Sequence, residues 1–135
     1  MRQQQDIIER FRDRYSQPVP DAMLVIEREV IGANVGANGY TTLEQANMLS
    51  ERLALGPGAR LLDIGGGRGW PGLYLAAKTG CEVVIVDVPE PALRSVLARA
   101  AHSDAQGRAS FARASGTNLP FQPASFDAVV HTDTL

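Results

Sequence analysis

An α/β domain with a doubly wound, mostly parallel sheet is what this 135-residue sequence predicts, on three observations. First, apolar runs of strand length alternate with segments of helical periodicity, the pattern that right-handed βαβ units leave in a chain. Second, residues 81–87 form a nearly continuous apolar run rich in β-branched residues, as suits a central parallel strand covered on both faces. Third, Leu61-Leu62-Asp63-Ile64 runs directly into Gly65-Gly66-Gly67-Arg68-Gly69, and Pro71 then opens a new apolar segment. That order reads as strand, bare backbone turn and helix. The helix directs its unpaired N–H groups and positive dipole end back at the turn, which makes a ligand cradle.

The N-terminal part is helical. Ile7, Ile8, Phe11 and Tyr15 share one helical face, and the helix should end before Pro18 and Pro20. A second helix starts near Asp21 and runs through Met23-Leu24-Val25-Ile26 to a stop at Gly32. Residues 32–40, rich in glycine and asparagine, are a loop, read either as a linker between helices or as a lid over a ligand pocket. Thr41-Thr42-Leu43-Glu44-Gln45 holds two overlapping capping boxes, Thr41 with Glu44 and Thr42 with Gln45. Leu43, Ala46, Leu49 and Leu53 give the following helix its apolar face, and Gly56-Pro57-Gly58 breaks the chain. The sequence therefore divides into a helical segment with a candidate lid, 1–57, and an α/β core, 58–135.

In the core, a strand is expected over 59–64 and a helix from Pro71 to Gly80. After the strand at 81–87, a helix starts at Pro91 with Leu93, Val96, Leu97 and Ala100 on its core side. Residues 109–113 give a third strand of weaker pattern, 118–123 a loop, and 126–131 a fourth strand. Asp63, Asp87 and His131 then fall at strand carboxyl ends, on the rim where parallel sheets bind ligands.

Composition narrows the function classes. A net charge of −2 gives no electrostatic case for nucleic acid. Cys81 is the only cysteine, which removes an intramolecular disulfide and a cysteine metal cluster; it reads as a small buried hydrophobe. No run approaches the ~20 apolar residues of a membrane span, and Met1-Arg2-Gln3-Gln4-Gln5-Asp6 lacks a signal-peptide core. A cytoplasmic protein is expected.

The glycine turn has two registers. Gly67-x-Gly69-x-x-Gly72, with Asp87 twenty residues after Gly67, satisfies the dinucleotide pattern. Asp63-x-Gly65-x-Gly67-x-Gly69 instead puts an acid at the strand end, where an ionised carboxylate reaches the ligand. The second register resembles the first motif of the class I S-adenosylmethionine-dependent methyltransferases. Leu55-Gly56-Pro57-Gly58 before it, residues 83–87 as an apolar strand ending in an acid, and Leu119-Pro120-Phe121 with Ser125-Phe126-Asp127-Ala128-Val129-Val130 are similar to further segments of that family, in order, over about residues 40–133.

The resemblance implies a Rossmann-like fold, S-adenosylmethionine as cofactor and a small-molecule methyl acceptor, with neither nucleic acid nor membrane as partner. It places Gly65, Gly67 and Gly69 against the methionine part of the cofactor and Asp63 beneath that part. Asp87 would accept the ribose hydroxyls and Val88 would pack on adenine. Many relatives have an Asp four residues before Leu-Pro-Phe; here Ser115 stands there, a weaker acceptor for the adenine amino group. Asn118 is close by. His131, with Asp133 after it, is the candidate base for a hydroxyl or amine acceptor. His131-Thr132-Asp133-Thr134 does not match the Asn-Pro-Pro-aromatic element of amino-group methyltransferases. No metal site is expected.

The family's sheet has about seven strands and this sequence supplies four, so the domain reads as truncated after the fourth strand. That strand would lie at a long apolar edge, for which a homodimer through the edge is expected. Two alternatives stand beside the methyltransferase reading: a non-catalytic dimeric remnant of the fold, and an NAD-dependent oxidoreductase.

Overall fold

The computed structural model describes residues 1–37 and 39–132. Five helices and four strands follow in the order α1 (Arg2–Ser16), α2 (Asp21–Ile31), α3 (Leu43–Arg52), β1 (Arg60–Ile64), α4 (Gly72–Thr79), β2 (Glu82–Asp87), α5 (Glu90–Ala101), β3 (Ala109–Arg113) and β4 (Ala128–Val130). The strands form one sheet in the order β3-β2-β1-β4, every neighbour pair parallel. The strand order reverses at β1, which puts the switch in topology at the carboxyl end of that strand. This is the expected α/β architecture, with three helices in front of it.

The core lies where the β-branched runs predicted it. Leu61, Val83 and Ile85 from the sheet meet Leu75, Ala76 and Val96 from α4 and α5, all nearly inaccessible to solvent. Cys81 is fully buried among them. Gly32 and Gly80 end α2 and α4 in the left-handed conformation, each donating its N–H to a carbonyl four residues back.

Local chemistry moves several boundaries. Of the two capping boxes only one forms: the Thr42 hydroxyl accepts from Gln45 N at 3.1 Å, and Gln45 Oε1 accepts from Thr42 N at 2.9 Å. Thr41 is instead buried, with its carbonyl accepting from the Trp70 indole N–H at 2.9 Å. Pro71 sits one position before the first helical residue rather than at it, and α5 starts at Glu90, one residue ahead of Pro91.

The largest correction concerns β4, expected over six residues and found over three. Asp127 N donates to Arg60 O, but Arg60 N turns to the Asp127 carboxylate at 2.8 Å, so a side chain takes the place of the next ladder bond. Phe126 leaves the strand direction to meet Phe121 edge-on at 5.0 Å, under the Arg60 guanidinium at 5.2 Å. The sheet edge is therefore short, and Val129 is its one half-exposed apolar side chain.

Candidate functional site

The glycine turn is held by backbone and carboxylate bonds from the next strand. Gly65 N and Gly66 N both donate to Val86 O, at 2.8 and 3.2 Å. Gly67, with φ +54°, turns its N–H onto Asp87 Oδ2 at 2.9 Å. Asp87 Oδ1 accepts from Val88 N at 2.7 Å. Asp87 thus holds the turn through Oδ2 and Val88 through Oδ1, and each oxygen retains a lone pair for a further donor. Burial is the main influence on Asp87 and raises its pKa; the bonds from Val88 and Gly67 act against it.

Asp63 supports the turn from below. It is 1 % exposed, and its Oδ2 accepts from Gly72 N at 3.1 Å, the first residue of α4. A Cβ on Gly72 would stand 2.5 Å from that oxygen, so only glycine lets the helix start close over the acid. Burial pushes Asp63 up to about 8; the Gly72 bond pulls it down and the charge of Asp87 adds to the rise. Burial thus works in the ligand-free chain against the ionised carboxylate that the sequence register suggested. Asp63 lies under the turn, outside the cavity wall, where burial favours its protonated form.

Above the turn is a cavity of about 400 Å³. Its floor is Gly65, Gly66 and Gly67, with Asp87, Val88 and Pro89 on one side and Trp70 and Thr132 on the others. Its roof is α1, which contributes Ile7, Ile8, Phe11 and Tyr15. The sequence-predicted residues Gly65, Gly67, Asp87 and Val88 therefore converge on one space. Gly69 and Ser115 do not line it. Gly69 is packed beneath Leu73, where a Cβ would come within 2.7 Å of that side chain. Ser115 closes its own turn, its hydroxyl 2.8 Å from Thr117 Oγ1 and accepting from Thr117 N at 3.3 Å. His131 is exposed just past β4, while its neighbour Thr132 reaches the wall. Asp133 lies outside the described residues.

Comparison with known proteins places the chain in a family. Residues 61–135 match the family model of a methyltransferase domain. The chain belongs to that methyltransferase family. It is 36 % identical over 99 residues to 27-O-demethylrifamycin SV methyltransferase of Amycolatopsis mediterranei, covering 70 % of this chain and 36 % of that protein. Erythromycin 3''-O-methyltransferase of Saccharopolyspora erythraea is 32 % identical over 92 residues, 67 % of this chain and 30 % of that one. The chain thus spans about a third of the length of the curated relatives it matches. Among solved structures, a SAM-dependent methyltransferase from Thiobacillus denitrificans, in complex with S-adenosyl-L-homocysteine, superposes with a TM-score of 0.63 at 19 % identity. That match covers 87 % of this chain and 45 % of the other, and it shows the shared fold.

Two features of this family member were not read from its sequence. Trp70 is nearly buried, lines the cavity, binds the Thr41 carbonyl and packs on Tyr74 at 5.3 Å. It joins the glycine turn to the loop before α3. A lone tryptophan inside a glycine-rich turn was the available signal. The other is the roof. The apolar face of α1 was legible, yet helical periodicity does not say whether a face meets core or cavity. No α1 residue is buried, and Ile7 and Phe11 stay 47 % and 41 % exposed. Among the described residues no helix is long and apolar enough to cross a membrane.

Proposed function

We propose that this chain forms the cofactor-binding part of an S-adenosylmethionine-dependent methyltransferase acting on a small-molecule acceptor. The observation that carries the reading is the cavity in which Gly65, Gly67, Asp87 and Val88 meet under an apolar roof. The cofactor, when bound, supplies a methyl group already activated by a sulfonium. Gly65 and Gly67 leave the main chain open to its methionine part. Asp87 accepts from the ribose hydroxyls with the lone pairs that the turn leaves over. Val88 packs on adenine. Asp63 acts through Gly72 as a positioning residue, and Gly69 by close packing. Ser115, outside the cavity wall and with its hydroxyl engaged by Thr117, drops out of the proposed cofactor contacts. Residues 1–57 act as the lid-bearing segment over a core at 58–135, an assignment supported by the α1 side chains in the cavity roof.

Transfer is then mainly alignment of two reactants with water kept out, which can supply much of the rate. His131, one residue from the wall, is the candidate base for an acceptor hydroxyl. An acceptor without nucleic acid is favoured by the net charge of −2. Self-association through the β4 edge is part of the same reading and rests on the half-exposed Val129.

A thermal-shift titration with S-adenosylhomocysteine and NAD tests it. Ligand at about a hundred times its Kd adds ~2.7 kcal/mol, a shift of several degrees. Stabilisation by S-adenosylhomocysteine alone, lost in Asp87→Ala, is expected. A shift with NAD only returns the dinucleotide register, and no shift with either removes the enzyme reading. If acceptor turnover is found, His131→Gln should lower it about 10²-fold as a base and leave cofactor binding intact. Unchanged turnover removes that role.

A further inference from the structure

We infer that the chain has a second binding site, for an amphipathic carboxylic acid, and that this names the chemical class of the methyl acceptor; the acceptor role rests on the methyltransferase reading. A cavity of about 490 Å³ lies between α2, the 32–40 loop and α5, and shares Arg14, Gly36 and Gly39 with the cavity above the glycine turn. The two spaces adjoin, so a molecule in one reaches toward a ligand in the other.

The lining of the second cavity is largely apolar and carries three arginines. Met23, Ile26 and Val30, on one face of α2, line it and stay 48 %, 49 % and 53 % exposed. An apolar ligand body would cover them. Arg14, Arg68 and Arg99 also line it, with Glu27 the one acidic residue in the lining. Glu27 is committed to the loop: its Oε1 accepts from Val35 N at 3.0 Å and from Ala37 N at 2.8 Å. Arg68 donates to the Arg14 carbonyl at 3.3 Å and lies 5.4 Å over the Tyr15 ring.

Arg99 is the cation most in need of a partner. Its guanidinium is half-buried against Gly36, where a Cβ would stand 2.7 Å from Cζ and Nη1. Among the described residues no carboxylate comes within salt-bridge distance of it. Burial lowers the pKa of Arg99, Glu27 opposes that, and the charge of Arg68 adds to it. Three guanidinium groups to one carboxylate leave the lining with excess positive charge, and two of them, Arg68 and Arg99, are partly buried. A planar carboxylate matches the arginine fork in charge and geometry, whereas a neutral head group of the same size leaves the excess uncompensated.

Calorimetric titrations of the 135-residue chain with decanoate and with decanol test this, alongside S-adenosylhomocysteine. Decanoate should bind at least tenfold more tightly than decanol. Arg99→Gln should erase that preference without weakening decanol. Glu27→Gln keeps an oxygen for the two loop N–H groups but removes the opposing charge, and should tighten decanoate several-fold. Equal binding of acid and alcohol, or equal losses of both in Arg99→Gln, overturns the inference. Decanoate preference without S-adenosylhomocysteine binding upholds the acid site and defeats its role as acceptor site. The reverse result defeats the acid site and leaves the methyltransferase reading standing.

Discussion

The glycine turn and the N-terminal helix face the same cavity but are built in opposite ways. The turn is fixed by bonds to Val86, Asp87 and Asp63, with sheet and α4 packed beneath it. Helix α1 lies against α5 yet buries none of its residues, and its apolar face roofs the cavity. One side of the site is a product of folding. The other leaves Ile7 and Phe11 about half-exposed at the cavity.

That contrast gives effects of decreasing size. Leu75→Ala, in the fully buried layer under the turn, should cost about 2–5 kcal/mol in denaturant melts. A loss below 1 kcal/mol would mean that the core is not the structural side of the comparison.

Next comes pH. Asp63 is raised to about 8 in the folded chain from an unfolded value of 3.8, so the folded state holds a proton that the unfolded state releases. Its contribution is fully present below 3.8 and is lost as pH rises toward 8. Asp87, also raised by burial, acts in the same direction. The melting temperature of the ligand-free chain should fall by several degrees between pH 5 and 8, and Asp63→Asn should flatten the fall. A wild-type profile that rises over that range would place an ionised Asp63 in the folded state.

The smallest effect on stability belongs to the roof. Phe11→Ala removes a side chain already 41 % exposed and should change stability by about 0.5 kcal/mol or less. The same change should weaken S-adenosylhomocysteine several-fold by calorimetry. Loss of stability with unchanged ligand affinity would make α1 a scaffold.

Legibility in the sequence divides along the same line. The strands at 60–64 and 82–87 and the glycine-bounded helix between them rest on local composition, and the structure has them within a residue of expectation. The convergence of Gly65, Gly67, Asp87 and Val88 follows once β1 and β2 lie side by side. The failures are where a side chain competes with a local pattern. Asp127 takes the Arg60 N–H and shortens β4, and Trp70 takes the Thr41 carbonyl where a capping box was expected. Ser115 spends its hydroxyl on Thr117, which lies only two residues away but whose use depends on how the turn closes. No periodicity announced that the apolar face of α1 and much of that of α2 would line cavities.

The Val86 carbonyl, which receives both Gly65 N–H and Gly66 N–H, has a kinetic consequence. The floor of the site cannot rearrange without unzipping the end of β2, so a ligand arriving there finds its main-chain contacts already in place. Little ordering entropy is lost on that side. On the proposed function, the slow coordinate of association and release would belong to the helix overhead, with residence time set by the lifting of α1 rather than by the hold of the glycines.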